Sequence, residues 1–382
     1  MVCRCVDVNL CPNLMESIDA NMRQSQPEIP PWFEVGGNRL QLIREPAKRL
    51  SALVDMLQTA NKSLKLFFYM FEDDRLGRMI LDILIAACKR GVAVEMMIDS
   101  FGSNGTPRKF FDPFTQAGGK LAVFSPRFST SYFVRNHQKM IIADDRSALI
   151  GGFNIADDYF NMQQQAEDDG LADDSWEDLG LAIEGPEVAN LASYYRLLSN
   201  WVYQNNGNMR SLRRMVRHWP SGDGQFRWLL GGPSNRLSPW ASAIKKDLEH
   251  GSRLDLVTAY FSPGQGLLRR IGGLSKRGGQ SRIILPGKTD NGATIGASRL
   301  LYGYLLSLFI NVEMMLRVDD ADFANHARNM VDILHENADP ITPELHKSRR
   351  TFLNRLRWTI SYFLVNTLDY RVTRRLNFGI RK

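Results

Sequence analysis

The chain is poor in cysteine and histidine, and it has no long apolar run. Four cysteines in 382 residues are too few for a disulfide scaffold. Three of them, Cys3, Cys5 and Cys11, crowd the start, with no histidine or further cysteine pair beside them to complete a metal site. Free thiols of a reducing cytosol are expected. No apolar stretch approaches the roughly 20 residues needed to cross a bilayer, and no basic-then-apolar secretion signal opens the chain. Charge of one sign is also missing over most of the length. The formal charge is +7, but ten Lys and Arg face Asp369 alone between His346 and Lys382, so the tail carries +9 and the body −2. That balance disfavours nucleic acid in a chain-wide groove and favours an anionic surface for the tail.

Hydrophobic residues make up 44% of the chain, enough for two compact domains or one domain in two related halves. Residues 1–31 read as an irregular leader ending in Ile29-Pro30-Pro31. Ala47–Ala60 reads as helix, Leu64–Phe71 as a buried strand, Arg75–Arg90 as helix and Val92–Ile98 as strand, closing at Asp99 on a Gly-rich turn. The order then returns: helix over Ala241–His250, strand over Leu254–Phe261, helix over Gly266–Arg277, strand over Arg282–Leu285. Lys89-Arg90-Gly91 is echoed by Lys276-Arg277-Gly278, and Tyr69 by Tyr260. The fold class is therefore α/β, two related halves each with a mixed β-sheet flanked by helices. The expected boundaries are 32–200, 201–338 and a basic amphipathic tail over 339–382. Nine acids between Asp157 and Asp178 lack the spacing and turn glycine of a calcium loop, so a solvated loop is expected there.

The chemistry is concentrated in Asn136-His137-Gln138-Lys139, followed by an apolar strand and Asp144. Strand period places His137 and Lys139 on one face. Lysine neutralises phosphoryl oxygens, and a neutral imidazole can attack phosphorus. Ala148–Ile150 would return as a hairpin. Gly151 and Gly152 would admit a ligand close to the backbone, and the Asn154 amide would donate to a phosphate oxygen. A chance match to this spacing is on the order of 1 in 100.

His137-x-Lys139-x4-Asp144-x6-Gly151-Gly152-x-Asn154 resembles the HKD motif of the phospholipase D superfamily. Leu66–Asp74, Met96–Ser103, Gly180–Val188 and Leu285–Asp290 look like the cardiolipin synthase branch, a resemblance running from about Trp32 to Arg328. It implies two HKD motifs meeting at one active site, without cofactor or metal. One histidine would form a phosphohistidine, while the other protonates the leaving alcohol. His137, Lys139 and Asp144 would be catalytic, with Asp144 orienting a histidine or balancing charge. Lys139, Asn154 and Gly152 would hold the substrate phosphate. The implied substrate is an anionic phospholipid of the phosphatidylglycerol kind, handled peripherally on the inner face of the cell membrane.

The second motif is absent: His218, His250, His326, His335 and His346 all lack Lys two residues on. Gly91 to Leu179 spans 88 residues, whereas the counterpart from Gly278 to Glu313 spans 35. The shortfall falls where the motif belongs, with a junction near Leu305-Leu306-Ser307. Three outcomes stay open: two chains paired as a homodimer, incomplete chemistry, or a binding-only relic. A single-motif dimeric nuclease is the competing enzyme reading. Over Arg349–Phe378, apolar residues recurring every four positions beside many arginines predict an amphipathic helix that lies on anionic lipid.

Overall fold

A computed structural model describes residues 30–125, 135–161, 177–205, 208–220, 222, 224–232, 238–258, 265–285, 312–339 and 351. Nearly all of the leader and of the tail therefore lie outside the described residues, as do residues 286–290 and most of the acidic stretch.

The first part of the chain builds one eight-stranded sheet. Its strands are β1 (Phe33–Val35), β2 (Asn38–Ile43), β3 (Ser63–Phe68), β4 (Ala93–Asp99), β5 (Lys120–Phe124), β6 (Lys139–Ala143), β7 (Ser147–Gly151) and β8 (Gly180–Glu184). They lie in the order β1-β2-β8-β7-β6-β3-β4-β5. Strands β3, β4 and β5 are parallel, because helices connect them, and the remaining pairs are antiparallel.

Both faces of the sheet are covered, which explains why β3 and β6 read as continuous apolar runs rather than as an alternation. Leu64, Leu66 and Phe68 point to one side with Met96, Ile98, Ile141 and Leu149, under helices α1 (Pro46–Thr59) and α2 (Arg75–Lys89). Phe67, Met97, Met140, Ile142 and Ile183 point to the other, under α3 (Glu187–Asn200). Helix α2 shows why the local sequence chooses a helix. Asp74 caps it by accepting from the Gly77 N–H at 2.7 Å, and Leu76, Ile80, Leu84 and Ala87 form its buried stripe. Each fully buried leucine or isoleucine of this stripe contributes about 1.5–3 kcal/mol.

The remaining strands are β9 (Phe226–Gly231), β10 (Arg253–Val257), β11 (Gln280–Ile284) and β12 (Glu313–Val318). Strands β9 and β12 pair antiparallel, as β2 and β8 do, and β10 and β11 pair parallel, as β3 and β4 do. Among the described residues these four strands form two separate two-stranded sheets. In the first half the β6–β7 hairpin joins β3 to β8. Among the described residues the second half has no hairpin in that place.

The two parts of the chain meet directly. Phe226, Trp228, Leu230, Val312 and Phe323 join the cluster around α3. Val312 forms a parallel bridge with Asn136: its N–H donates to the Arg135 carbonyl at 2.7 Å, and its carbonyl accepts from the His137 N–H at 3.1 Å.

Candidate active site

The carboxyl ends of β3, β4 and β5 share one edge of the sheet with the amino ends of β6 and β8, since Phe68 pairs with Lys139 and Gly151 with Gly180. Ligand crevices in α/β sheets open at this edge. His137 lies just ahead of β6, and Lys139 is the first residue of the strand. Both flank the ring of Tyr69, the imidazole edge-on at 4.7 Å between centroids and the ammonium at 5.3 Å. The structure thus brings the predicted pair together.

The two side chains are held differently. Lys139 is buried, and its Nζ donates to the His137 carbonyl at 2.8 Å. Burial pushes its pKa down to about 8, while Glu313, Asp178 and Asp99 support the charge. His137 keeps 46% of its side chain exposed, so solvent or a ligand reaches the ring. The enclosing protein, followed by the cations of Lys139 and Arg135, lowers its pKa and keeps the imidazole neutral at physiological pH. Its Nδ1 faces a Glu313 carboxylate oxygen at 3.6 Å. A neutral ring with Nδ1 toward a carboxylate leaves Nε2 as the free electron pair.

Beneath the pair, Asp99 fixes the backbone. It is buried at the end of β4 and accepts from the N–H groups of Asn136 at 2.8 Å and Phe101 at 2.9 Å. Burial raises its pKa to about 6, against the pull of those amides, the Gly102 amide and Arg135. On the opposite side of the strand, Gln138 donates to the Tyr194 hydroxyl at 2.8 Å inside the core. That pair sets which way the alternating side chains point, because a one-residue slip would bury His137 and Lys139 in the core.

Asp144 is not part of this cluster. It lies at the opposite end of β6, about 17 Å away by strand rise, in a turn where Asp144 and Asp145 have φ of 54° and 55°. Its carboxylate accepts from the N–H groups of Asn61, Lys62 and Ser63 at 3.0, 2.7 and 2.8 Å. Partial burial opposes its charge, but the Ser63, Asn61 and Lys62 amides outweigh it and hold the carboxyl below its ordinary range. Asp144 therefore clips the chain entering β3 to the β6–β7 turn, and it neither orients His137 nor balances Lys139. Asp144→Ala is expected to cost about 1–2 kcal/mol in stability, read by denaturant unfolding, with little change in turnover. The depressed pKa makes this contribution full above about pH 4, and it is lost as pH falls through the lower folded value. An unaltered stability, or a collapse of turnover in the folded variant, would contradict the role.

A Cβ on Gly152 would collide with the Asp178 carboxylate, and one on Gly151 with the Phe153 ring and the Leu179 carbonyl, so the two glycines let β7 close on the start of β8. Asn154 does stand at the active edge, buried, with its Oδ1 accepting from the Met70 N–H at 3.1 Å and its Nδ2 donating to the Tyr159 hydroxyl at 2.9 Å. One amide hydrogen remains for a ligand.

Sequence reasoning missed Glu313, Asp178 and Asp99, since nothing distinguishes these carboxylates from solvated ones before the fold is known. Asp99 had one signal, its place between a strand and a Gly-rich turn.

Residues 53–175 match the family model described as cardiolipin synthase, PLD-like domain. The chain is 27% identical over 285 residues to cardiolipin synthase 1 of Bacillus cereus, covering 70% of this chain and 53% of that protein. It therefore spans about half the length of that relative. Cardiolipin synthase B of Salmonella typhimurium is 25% identical over 355 residues, with 88% and 82% covered. Phosphatidylserine synthase of Haemophilus influenzae has the same fold, with a TM-score of 0.65, 11% identity, and 95% and 98% of the two chains covered. The cardiolipin synthase, PLD-like match covers His137, Lys139 and Asn154, and over most of its length the chain is similar to bacterial cardiolipin synthases.

Proposed function

We propose that this chain is a phosphatidyltransferase of the phospholipase D type, moving a phosphatidyl group between phospholipid alcohols through His137. The observation that carries the reading is a neutral, solvent-reachable imidazole beside a buried ammonium at one sheet edge. Nε2 attacks phosphorus, a P–N bond forms and the P–O bond to the first alcohol breaks. Lys139 and the remaining Asn154 amide hydrogen neutralise the oxygens in the transition state. Glu313 takes up the positive charge that develops on the ring. The acceptor alcohol then attacks the phosphohistidine and restores the imidazole. The departing alkoxide needs a proton that a phosphorylated His137 cannot give. Two copies of the chain, each contributing one motif, would supply it. No described helix is long and apolar enough to cross a membrane, and we place the chain peripherally on the inner leaflet.

The test is incubation of the full chain with labelled phosphatidylglycerol vesicles, followed by thin-layer separation of the lipids. A diphosphatidyl product with release of glycerol is expected. Cleavage of single-stranded DNA with no lipid product would instead support the nuclease reading. If two copies share a site, specific activity should rise with protein concentration.

Glu313→Gln keeps the shape and removes the charge. It is expected to lower kcat about 10- to 100-fold at little change in KM, less than for a fully buried carboxylate–histidine pair because His137 is half open. A variant with normal kcat would leave the ring's orientation to other groups.

A further inference from the structure

Arg49 is a guanidinium with no access to solvent, in the first turn of α1. Both circumstances oppose it, since burial penalises the charge and the helix amino end is itself positive. Its nitrogens donate to three backbone carbonyls on three separate segments: Arg44 just after β2, Asp178 just before β8 at 2.6 Å, and Tyr159 beyond β7 at 2.8 Å. The rings of Phe153 and Phe160 face it at 6.0 and 5.8 Å. Two of the three segments lead into the active edge. Tyr159 holds the Asn154 amide. The Asp178 side chain accepts from the Leu179 N–H at 2.7 Å and lies against Gly152.

We propose that Arg49 is a positioning residue for the active edge: from α1 it fixes Tyr159 and Asp178, and through the Asp178 carboxylate it sustains the positive charge on Lys139. The charges alternate from Arg49 to Asp178 to Lys139. Burial raises the Asp178 pKa, and the Leu179 amide, Arg49, Lys139 and the Gly152 amide restrain the rise. Glu177 and Glu45 are the other carboxylates that bear on Arg49. Around Lys139 stand Glu313, Asp178 and Asp99, with His137 and Arg135 as further polar neighbours. Without Arg49, Asp178 takes up a proton nearer neutrality, and Lys139 loses one of its three carboxylate supports. A lysine at position 49 keeps the charge but reaches one carbonyl rather than three.

The inference rests on the phosphate-binding reading of Lys139, so its first readout does not depend on activity. In full-length protein carrying isotope-labelled lysine, the Lys139 side-chain signal is assigned with Lys139→Arg and followed by NMR against pH. Wild type should titrate near 8. Arg49→Met should lower that midpoint by about half a unit or more, whereas Arg49→Lys should stay near wild type. An unmoved midpoint in folded Arg49→Met overturns the proposal. Should Arg49→Met fail to fold, Asp178→Asn is the deciding variant, and an unmoved midpoint there has the same force. The lipid assay then separates the two readings. A shifted midpoint in a protein that turns over no phospholipid leaves Arg49's role standing and removes the transferase. In an active enzyme the alkaline limb of kcat shifts with the Lys139 midpoint.

Discussion

His137→Ala is expected to reduce phosphatidyl transfer at least about 1,000-fold, because it removes the atom that bonds to phosphorus in the proposed reaction. Nothing else described at the active edge can replace it. Lys139 is an ammonium near neutral pH, Asn154 is not nucleophilic, and the nearby carboxylates are weak nucleophiles toward an anionic phosphodiester. The fold should survive. The imidazole is half exposed, and its recorded partners are the Tyr69 ring and one carboxylate oxygen at 3.6 Å. The loss of such an aromatic contact costs about 0.5–1.5 kcal/mol, well within the margin of a domain this size. Lipid turnover at the wild-type rate by the variant would show that the reactive atom lies elsewhere.

Lys139→Met should lower kcat about 100- to 1,000-fold, in the range of losing one preorganised charge at a phosphoryl transition state. Methionine preserves most of the stem volume, so packing against Tyr69 is kept and the charge alone is removed. Arginine should not rescue it, since a planar guanidinium does not fit where a buried ammonium reaches the His137 carbonyl. The pH profile adds an independent check. Wild-type activity should fall as pH rises past about 8, where the amine loses its proton, and this limb should vanish from the residual activity of Lys139→Met. Retention of the limb would assign it to another group.

Much of the fold was legible because its strands are buried on both faces and its helices have simple stripes. Leu64–Phe71 and Arg75–Arg90 mark β3 and α2 to within a few residues. The strand near His137 was also legible, although the ladder begins only at Lys139. What misled was proximity in sequence. Asp144 belongs to the same written motif as His137, yet an extended strand carries a residue seven positions on to the opposite edge of the sheet. The close approach of the Asp178 carboxylate to Gly152 could not be read from the glycine pair. Glu313 could not be found by spacing at all, since 176 residues separate it from His137. Nothing in the sequence marks Arg49, because burial of a cation depends on carbonyls contributed by distant segments.

The Val312 bridge has a mechanical consequence. Its two hydrogen bonds strap the peptide groups on either side of Asn136, so the orientation of the His137 imidazole is tied to how the two parts of the chain sit together. Shear along that seam would tilt the imidazole before it disturbed the eight-stranded sheet. The His137 amide therefore serves as a strain gauge: its hydrogen exchange should quicken whenever the seam loosens, while the β6 amides behind it stay protected.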